Sequence, residues 1–170
     1  VGLFRGRSQI GSAVLLLLVA AVIGRPWENL RLGDEPPARA TAYVVRAIDG
    51  DTIEVRLDGR REDVRYIGVD TPETVKPGTP VQCFGPRAHR FNAHLVEGRR
   101  VRLEFGVERR DVYGRLLAYV HLGRRFVNAE LVRRGLARTL AIAPNIRFAK
   151  RFARLQMAAA RAGRGLWGAC

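Results

Sequence analysis

The sequence predicts an α+β fold that is mainly β: a small five-stranded Greek-key barrel with three α-helices packed on it. Two observations carry this. Short segments of alternating apolar and polar residues are punctuated by Asp49-Gly50 and Asp58-Gly59, dipeptides that close tight hairpins. Three later segments switch to helical spacing. The resulting order, β-β-β-α-β-β-α-α, suits a closed barrel with helices on its outside.

Taken in chain order, residues 1–9 hold Arg5 and Arg7 and no acid, and Ile10 to Gly24 run largely apolar around Leu15 to Leu18. A basic start with about 15 apolar residues fits a secretory signal and falls short of the ~20 of a spanning helix. Residues 1–24 are read as a signal peptide or, alternatively, a membrane anchor; either places the rest outside the cytoplasm, secreted or anchored by residues 10–24. Residues 25–40, with Pro26, Pro36, Pro37 and the Asp34-Glu35 pair, read as a linker. Residues 41–170 are the folded domain.

Within that domain, Tyr43 to Ile48 is rich in β-formers and leads into the first Asp-Gly turn. Ile53, Val55 and Leu57 alternate with polar residues as a half-buried second strand. Val64 to Val69 is the third. Pro86 to Glu97 reads as a helix closed by Gly98, with Phe91, Leu95 and Val96 on its apolar side. Val101, Leu103, Phe105 and Val107 alternate as the fourth strand, and Leu116 to Leu122 make the fifth. Phe126 to Arg134 is a short helix ended by Gly135. Arg147 to Ala162 is a longer one with Phe148, Phe152, Leu155 and Ala159 along its buried stripe.

Formal net charge is +14, and 28 of the 30 basic residues are arginine. Beyond residue 40 the chain holds 25 basic and 13 acidic residues, a net +12 that attracts polyanions such as DNA, RNA or an anionic membrane. Apolar residues make up 47%, which argues for a packed core and against disorder. Cys83 and Cys170 are the only cysteines, too few for a zinc site beside scattered histidines. In an exported protein such a pair suggests a disulfide, tying the C-terminal end to the loop after Glu73; two free thiols are the alternative.

Chemistry concentrates between Asp49 and Arg115. Asp51 follows a turn, and Asp70-Thr71-Pro72-Glu73 follows a strand. Carboxylates without sulfur or imidazole suit a hard cation. Each fragment also has a plain structural reading: a hairpin turn at Asp49-Gly50, with Asp51 a spare carboxylate, and a helix cap from Asp70 to Glu73. Arg65 sits on a strand whose two faces are both largely apolar, so its guanidinium needs an anion. That anion is either Asp70 or Glu73, or a substrate phosphate. Arg115 opens the fifth strand after Tyr113-Gly114, and with Arg65 it forms a clamp for a phosphoryl group.

Three segments together resemble the thermonuclease, or staphylococcal nuclease-like, family: Val45-Arg46-Ala47-Ile48-Asp49-Gly50-Asp51-Thr52-Ile53, then Val64-Arg65-Tyr66-Ile67-Gly68-Val69-Asp70-Thr71-Pro72-Glu73, then Asp111-Val112-Tyr113-Gly114-Arg115. Val127-Asn128, Leu131-Val132 and Gly135-Leu136-Ala137 resemble the family's second helix. The resemblance covers about residues 42–168 and implies an OB-fold barrel. It implies a Ca2+-dependent nuclease acting on DNA and RNA and leaving 3′-phosphates; the ligand types suit other hard divalent cations as well, and the chain is expected to be a monomer. By matched position, Asp51, Asp70 and the Thr71 main-chain oxygen are the implied metal ligands. Glu73 is the implied general base, Arg65 and Arg115 the phosphate ligands, and Asp111 and Tyr113 supports of the substrate pocket. The family often carries tyrosines after its second helix, where this chain has Ala141 and Ala143. Stacking on a base is worth roughly 1–3 kcal/mol, so the departure implies altered nucleotide affinity with the chemistry retained. Two competing readings are an inactive OB-fold nucleic-acid-binding domain and a membrane-tethered interaction domain.

Overall fold

The computed structural model describes residues 2, 38–74, 78 and 80–170. The chain divides into two compact units, Val1–Glu35 and Pro36–Cys170. Apart from Gly2, the expected leader (1–24) and the linker as far as residue 37 lie outside the described residues. Among the described residues, no helix is long and apolar enough to cross a membrane.

Five strands make the barrel: β1 (Arg39–Ala47), β2 (Thr52–Leu57), β3 (Arg60–Tyr66), β5 (Arg100–Arg110) and β6 (Leu116–Leu122). β1, β2 and β3 form an antiparallel meander, β5 pairs with the other edge of β1, and β6 pairs with β5. A parallel pairing of β6 with β3, Val64 to Leu116 through Tyr66 to Ala118, closes the sheet. Closure leaves no free edge in the ring. Val44, Ile53, Val55, Val64, Val101, Leu103 and Leu116 fill the interior and are fully buried. Their alternation with polar neighbours is the period-two signal of a strand with one wet face.

Among the described residues, four helices lie on the barrel: α1 (Gly85–Val96), α2 (Val127–Arg133), α3 (Ala149–Arg161) and a single turn, α4 (Leu166–Ala169). Three of them match the expected helices to within two residues; α4 is too short to show periodicity. Phe126, expected in the second helix, instead pairs in the two-residue strand β7 (Arg125–Phe126) on β6. It joins Tyr119, Phe148 and Phe152 in an aromatic cluster with ring centroids 4.7–6.5 Å apart. Edge and tilted packing of this kind suits the ring quadrupoles.

Two strands differ from expectation. β1 starts at Arg39, ahead of the expected Tyr43, because residues 39–43 pair with β5 from Glu104 back to Arg100. The expected strand Val64 to Val69 breaks after Tyr66. Gly68 has φ +80°, and a Cβ there would stand 2.6 Å from the Phe152 ring. A side chain would be strained in its backbone and would clash with α3. The chain therefore turns at Ile67-Gly68, and Val69–Asp70 leaves the barrel as β4, pairing with β8 (Arg138–Thr139). This turn swings Asp70 away from the β3 ladder and begins the loop that carries Thr71 and Glu73.

Candidate functional site

The Asp49-Gly50-Asp51 turn is a real hairpin turn, with the Ile48 N–H on the Thr52 carbonyl at 2.9 Å. It is also more than that. A Cβ at Gly50 would lie 2.7 Å from the Thr71 side chain, so only glycine lets the two loops touch. Asp51 is completely buried. Its carboxylate accepts the Thr71 N–H at 2.6 Å, and its own N–H donates to Asp49 Oδ1 at 2.9 Å. Asp51 is thus no spare carboxylate.

Arg65 resolves the question its apolar strand posed. Its guanidinium pairs with Asp51 through one nitrogen and with Asp70 Oδ1 through the other, the latter at 2.8 Å. The expected partner Asp70 is present, and Asp51 joins it, brought alongside by the β2–β3 pairing of Thr52 with Arg65. The side chain of Arg65 is 17% exposed and that of Asp70 53%, so the pair opens from buried ground toward solvent.

Glu73 stands in an irregular loop rather than in a helix, so the capping-box reading of Asp70 to Glu73 does not hold. Asp70 is occupied in a strand instead. The Glu73 N–H donates to Gln82 Oε1 at 3.0 Å, its carbonyl accepts the Gln82 N–H at 2.9 Å, and its carboxylate accepts the Thr74 N–H at 2.8 Å. Gln82 adjoins Cys83. Cys83 and Cys170 form a disulfide with Cα atoms 6.1 Å apart, linking the end of the described domain to this loop.

Arg115 opens β6 from a tight turn. Asp111 accepts the N–H groups of Tyr113 and Arg115, each at 3.0 Å, and holds the Arg115 side chain at 2.7–2.8 Å. The Arg115 guanidinium also lies 5.3 Å from the centroid of the exposed Tyr113 ring. One aspartate therefore shapes the turn and aims the arginine.

These segments meet in one cleft of about 490 Å³, lined by Asp51, Arg65, Asp70, Thr71, Glu73, Tyr113 and Arg115 among others. Asp49 and Asp63 line it too. Burial lifts the Asp49 carboxyl above the ordinary carboxylate range, against the pull of Arg65 and a Thr52 hydrogen bond. Asp111 lines the neighbouring cavity of about 350 Å³, which shares Arg65, Tyr113 and Arg115 with the cleft.

Among the described residues, no three His, Cys, Asp or Glu side chains are grouped as a ready-made metal cage. The donor chemistry nevertheless fits a hard divalent cation. Asp51 and Asp70 come from separate segments yet lie within reach of one guanidinium, and the Thr71 carbonyl follows directly after Asp70. A cation held by one or two carboxylates and a carbonyl keeps water in its other positions.

Sequence reasoning missed the supports. Buried Asn92 of α1 accepts from the Tyr66 hydroxyl at 2.9 Å and donates to the Asp49 carbonyl at 3.1 Å, fastening helix, strand and turn together. Its signal was an asparagine in line with Ala88 and Leu95 on a buried helical face. Buried Asn128 of α2 bridges the Val120 N–H and the Ile67 carbonyl, both at 2.9 Å. Gln82 gave no signal, since loop glutamines are common.

At the rim, the segment after β8 presents other side chains than Ala141 and Ala143 to the Arg115 side. Leu140 and Ile142, exposed by 40% and 59%, line the cavity with Tyr113 and Arg115. Ala141 lines a different cavity beside Phe152, and Ala143 lines neither. Alternation along the extended segment after β8 turns residues 140 and 142 to the same side.

The staphylococcal nuclease homologue family model matches residues 63–169. Thermonuclease from Staphylococcus hyicus is 40% identical over 162 residues, covering 90% of this chain and 95% of the relative. Thermonuclease from Staphylococcus intermedius is 45% identical over 147 residues, covering 82% and 86%. Endonuclease YncB from Bacillus subtilis (strain 168) is 47% identical over 109 residues, covering 63% and 52%. With a family model matching more than half its length and relatives aligned over nearly all of theirs, the chain belongs to the staphylococcal nuclease family.

Proposed function

We propose that the chain is an exported nuclease that hydrolyses phosphodiester bonds of DNA and RNA as a monomer, using Ca2+ or another hard divalent cation, and leaves 3′-phosphates. One observation carries the reading: Asp51, Arg65, Asp70, Glu73 and Arg115 line a single cleft in a member of this family. Asp51, Asp70 and the Thr71 carbonyl would hold the cation, which supplies Lewis-acid polarisation of the phosphoryl group when bound.

Arg65 and Arg115 offer planar forks of donors to the phosphoryl oxygens and grip them harder as negative charge grows there. Glu73 accepts a proton as the water oxygen bonds to phosphorus. The bond from phosphorus to the 5′-oxygen breaks, that oxygen leaves with the bonding pair and takes a proton from solvent, and the phosphate stays on the 3′ side. Asp111 keeps Arg115 aimed, and Tyr113 edges the pocket beside it. Export is supported by the apolar segment from Ile10 to Gly24 and by the Cys83–Cys170 bond, since disulfides persist in oxidising compartments.

The test is hydrolysis of single-stranded DNA in Ca2+, followed by EGTA. Cleavage is expected to stop on chelation. Cleavage that persists, or none in Ca2+, overturns the cation-dependent reading. Glu73→Ser is expected to slow cleavage by about 10³-fold, the scale of a lost general base.

A further inference from the structure

The outer face of the barrel carries a band of arginines that the cleft does not use. Residues directly opposite on neighbouring strands project from the same face of a sheet. Arg100 of β5 stands opposite Tyr43 of β1, Tyr43 opposite Arg56 of β2, and Arg56 opposite Arg61 of β3. All four are exposed, Tyr43 by 45%. Four strands at about 4.8 Å spacing make this row about 14 Å wide. Exposed Arg102 extends it two residues further along β5, opposite Thr41.

Like charges placed directly opposite one another weaken a sheet, and Arg56 opposite Arg61 is such a pair. Glu54 neutralises Arg61 together with Arg46. Among the described residues, no carboxylate forms an ion pair with Arg56 or Arg100. An arrangement that costs the fold stability, with an exposed aromatic ring set between two of its cations, points outward to a ligand. Arginine next to an upward-facing aromatic matches a single nucleic-acid strand, with phosphate on the guanidinium and a base on the ring. A lipid surface would instead call for apolar side chains to insert, and the row has none besides Tyr43.

The band also connects to the cleft. Arg61 and Arg65 lie four residues apart on the outward face of β3, as do Arg56 and Thr52 on β2, and between these rows stand Asp63 and Glu54, the latter already paired with Arg46 and Arg61. Four residues of strand span about 13 Å, so a strand leaving the cleft along the β2–β3 face reaches Arg61 and Arg56 and then Tyr43. We propose that Tyr43, Arg56, Arg61 and Arg100 form a secondary attachment surface for the stretch of nucleic acid beyond the scissile bond. This deepens the nuclease reading and rests on it for the identity of the strand.

The experiment uses the full chain and the variant Tyr43→Ser/Arg56→Ser/Arg100→Ser. Binding of a fluorescent 30-nucleotide dT oligomer is measured in EDTA across a salt series, and cleavage of a dinucleotide is measured separately. The variant is expected to bind the oligomer about 10-fold or more weakly, the scale of one lost base stack. Its log–log salt slope is expected to flatten by about 1.4, for two lost phosphate contacts on a single strand. Dinucleotide cleavage is expected to match the parent. Restoring lysine at positions 56 and 100 is expected to recover the slope without the stacking part of the affinity. Parental oligomer affinity and slope in the triple variant would overturn the proposal. So would an equal loss on dinucleotide and oligomer, which would mean that the substitutions act through the cleft or the fold. A variant that keeps oligomer binding but loses binding to phosphatidylserine vesicles would reassign the band to lipid. If the parent cuts neither substrate, the nuclease reading fails, while the oligomer comparison in EDTA still decides what the band binds.

Discussion

Arg65 and Arg115 reach the same cleft from different strands, and they are anchored by different means. Arg65 bridges two acids from separate segments, one of them wholly buried. Arg115 leans on a single acid four residues earlier, in a turn that opens to solvent. The first anchor is built by the barrel, because the β2–β3 register and the turn at Gly68 must both form before Asp51 and Asp70 meet. The second is built by a five-residue loop. The Arg65 anchor is therefore tied to the stability of the barrel, and the Arg115 anchor to a local turn.

The sharpest test substitutes each in turn. Arg65→Gln leaves Asp51 buried without its counter-charge. That is expected to cost about 3 kcal/mol in urea unfolding, the scale of breaking a buried pair from one side. Arg115→Gln is expected to cost about 1 kcal/mol or less, as for a part-exposed pair. Cleavage of single-stranded DNA is expected to fall by about 10³-fold in both, as when a donor to transition-state charge is lost. Equal stability losses would erase the distinction between the anchors.

The disulfide bears on the same contrast from the Glu73 side. Cys83→Ser/Cys170→Ser is expected to cost about 2–4 kcal/mol, since the bond closes a long loop in the unfolded chain. Cys83 follows Gln82, whose side chain and backbone both hold Glu73. A fall in cleavage larger than the stability loss explains, measured well below the unfolding transition, would place Glu73 under the control of that loop. Unchanged turnover in the folded variant would confine the bond to stability.

A smaller effect is expected from Asn92→Ala. It strands the buried Tyr66 hydroxyl and frees the Asp49 carbonyl, at about 1–3 kcal/mol. If the Arg65 side depends on the barrel, this distant substitution lowers cleavage through Asp51, whereas among the described residues no hydrogen bond links Arg115 or Asp111 to α1. Double-mutant cycles of Asn92→Ala with each arginine measure the difference, and equal coupling to both would contradict it.

The two anchors were not equally legible in the sequence. Asp111 and Arg115 lie four apart across a glycine turn, so their meeting is a local fact that spacing exposes. Arg65 announced only its need, an always-charged group between apolar neighbours. Its partner Asp51 became identifiable once strands paired, because register is a long-range property. Barrel strands and helices followed from periodicity, whereas β4, β7 and β8 are two residues each and have no period to read. The break after Tyr66 was hidden because Val64 to Val69 is β-rich throughout. Only the Phe152 ring of α3, far along the chain, explains why Gly68 must turn there.

The rim carries the smallest and most diagnostic expectation. Leu140 and Ile142 flank the pocket on the Arg115 side, and both are exposed enough to change without disturbing the core. Ile142→Tyr supplies a face for a base, and one stack is worth roughly 1–3 kcal/mol. Mononucleotide affinity, measured by calorimetry, is expected to tighten about 10-fold, the low end of that range. Ala141→Tyr serves as the control, since its side chain belongs to the cavity beside Phe152 and offers the nucleotide no stacking surface. Tightening at 142 but not at 141 would tie base affinity to the side of the cleft built by local loops. There, a ring can be added without repacking the barrel that fixes Arg65. Equal tightening at both positions would mean that the segment after β8 does not keep the alternation that turns residues 140 and 142 toward Arg115.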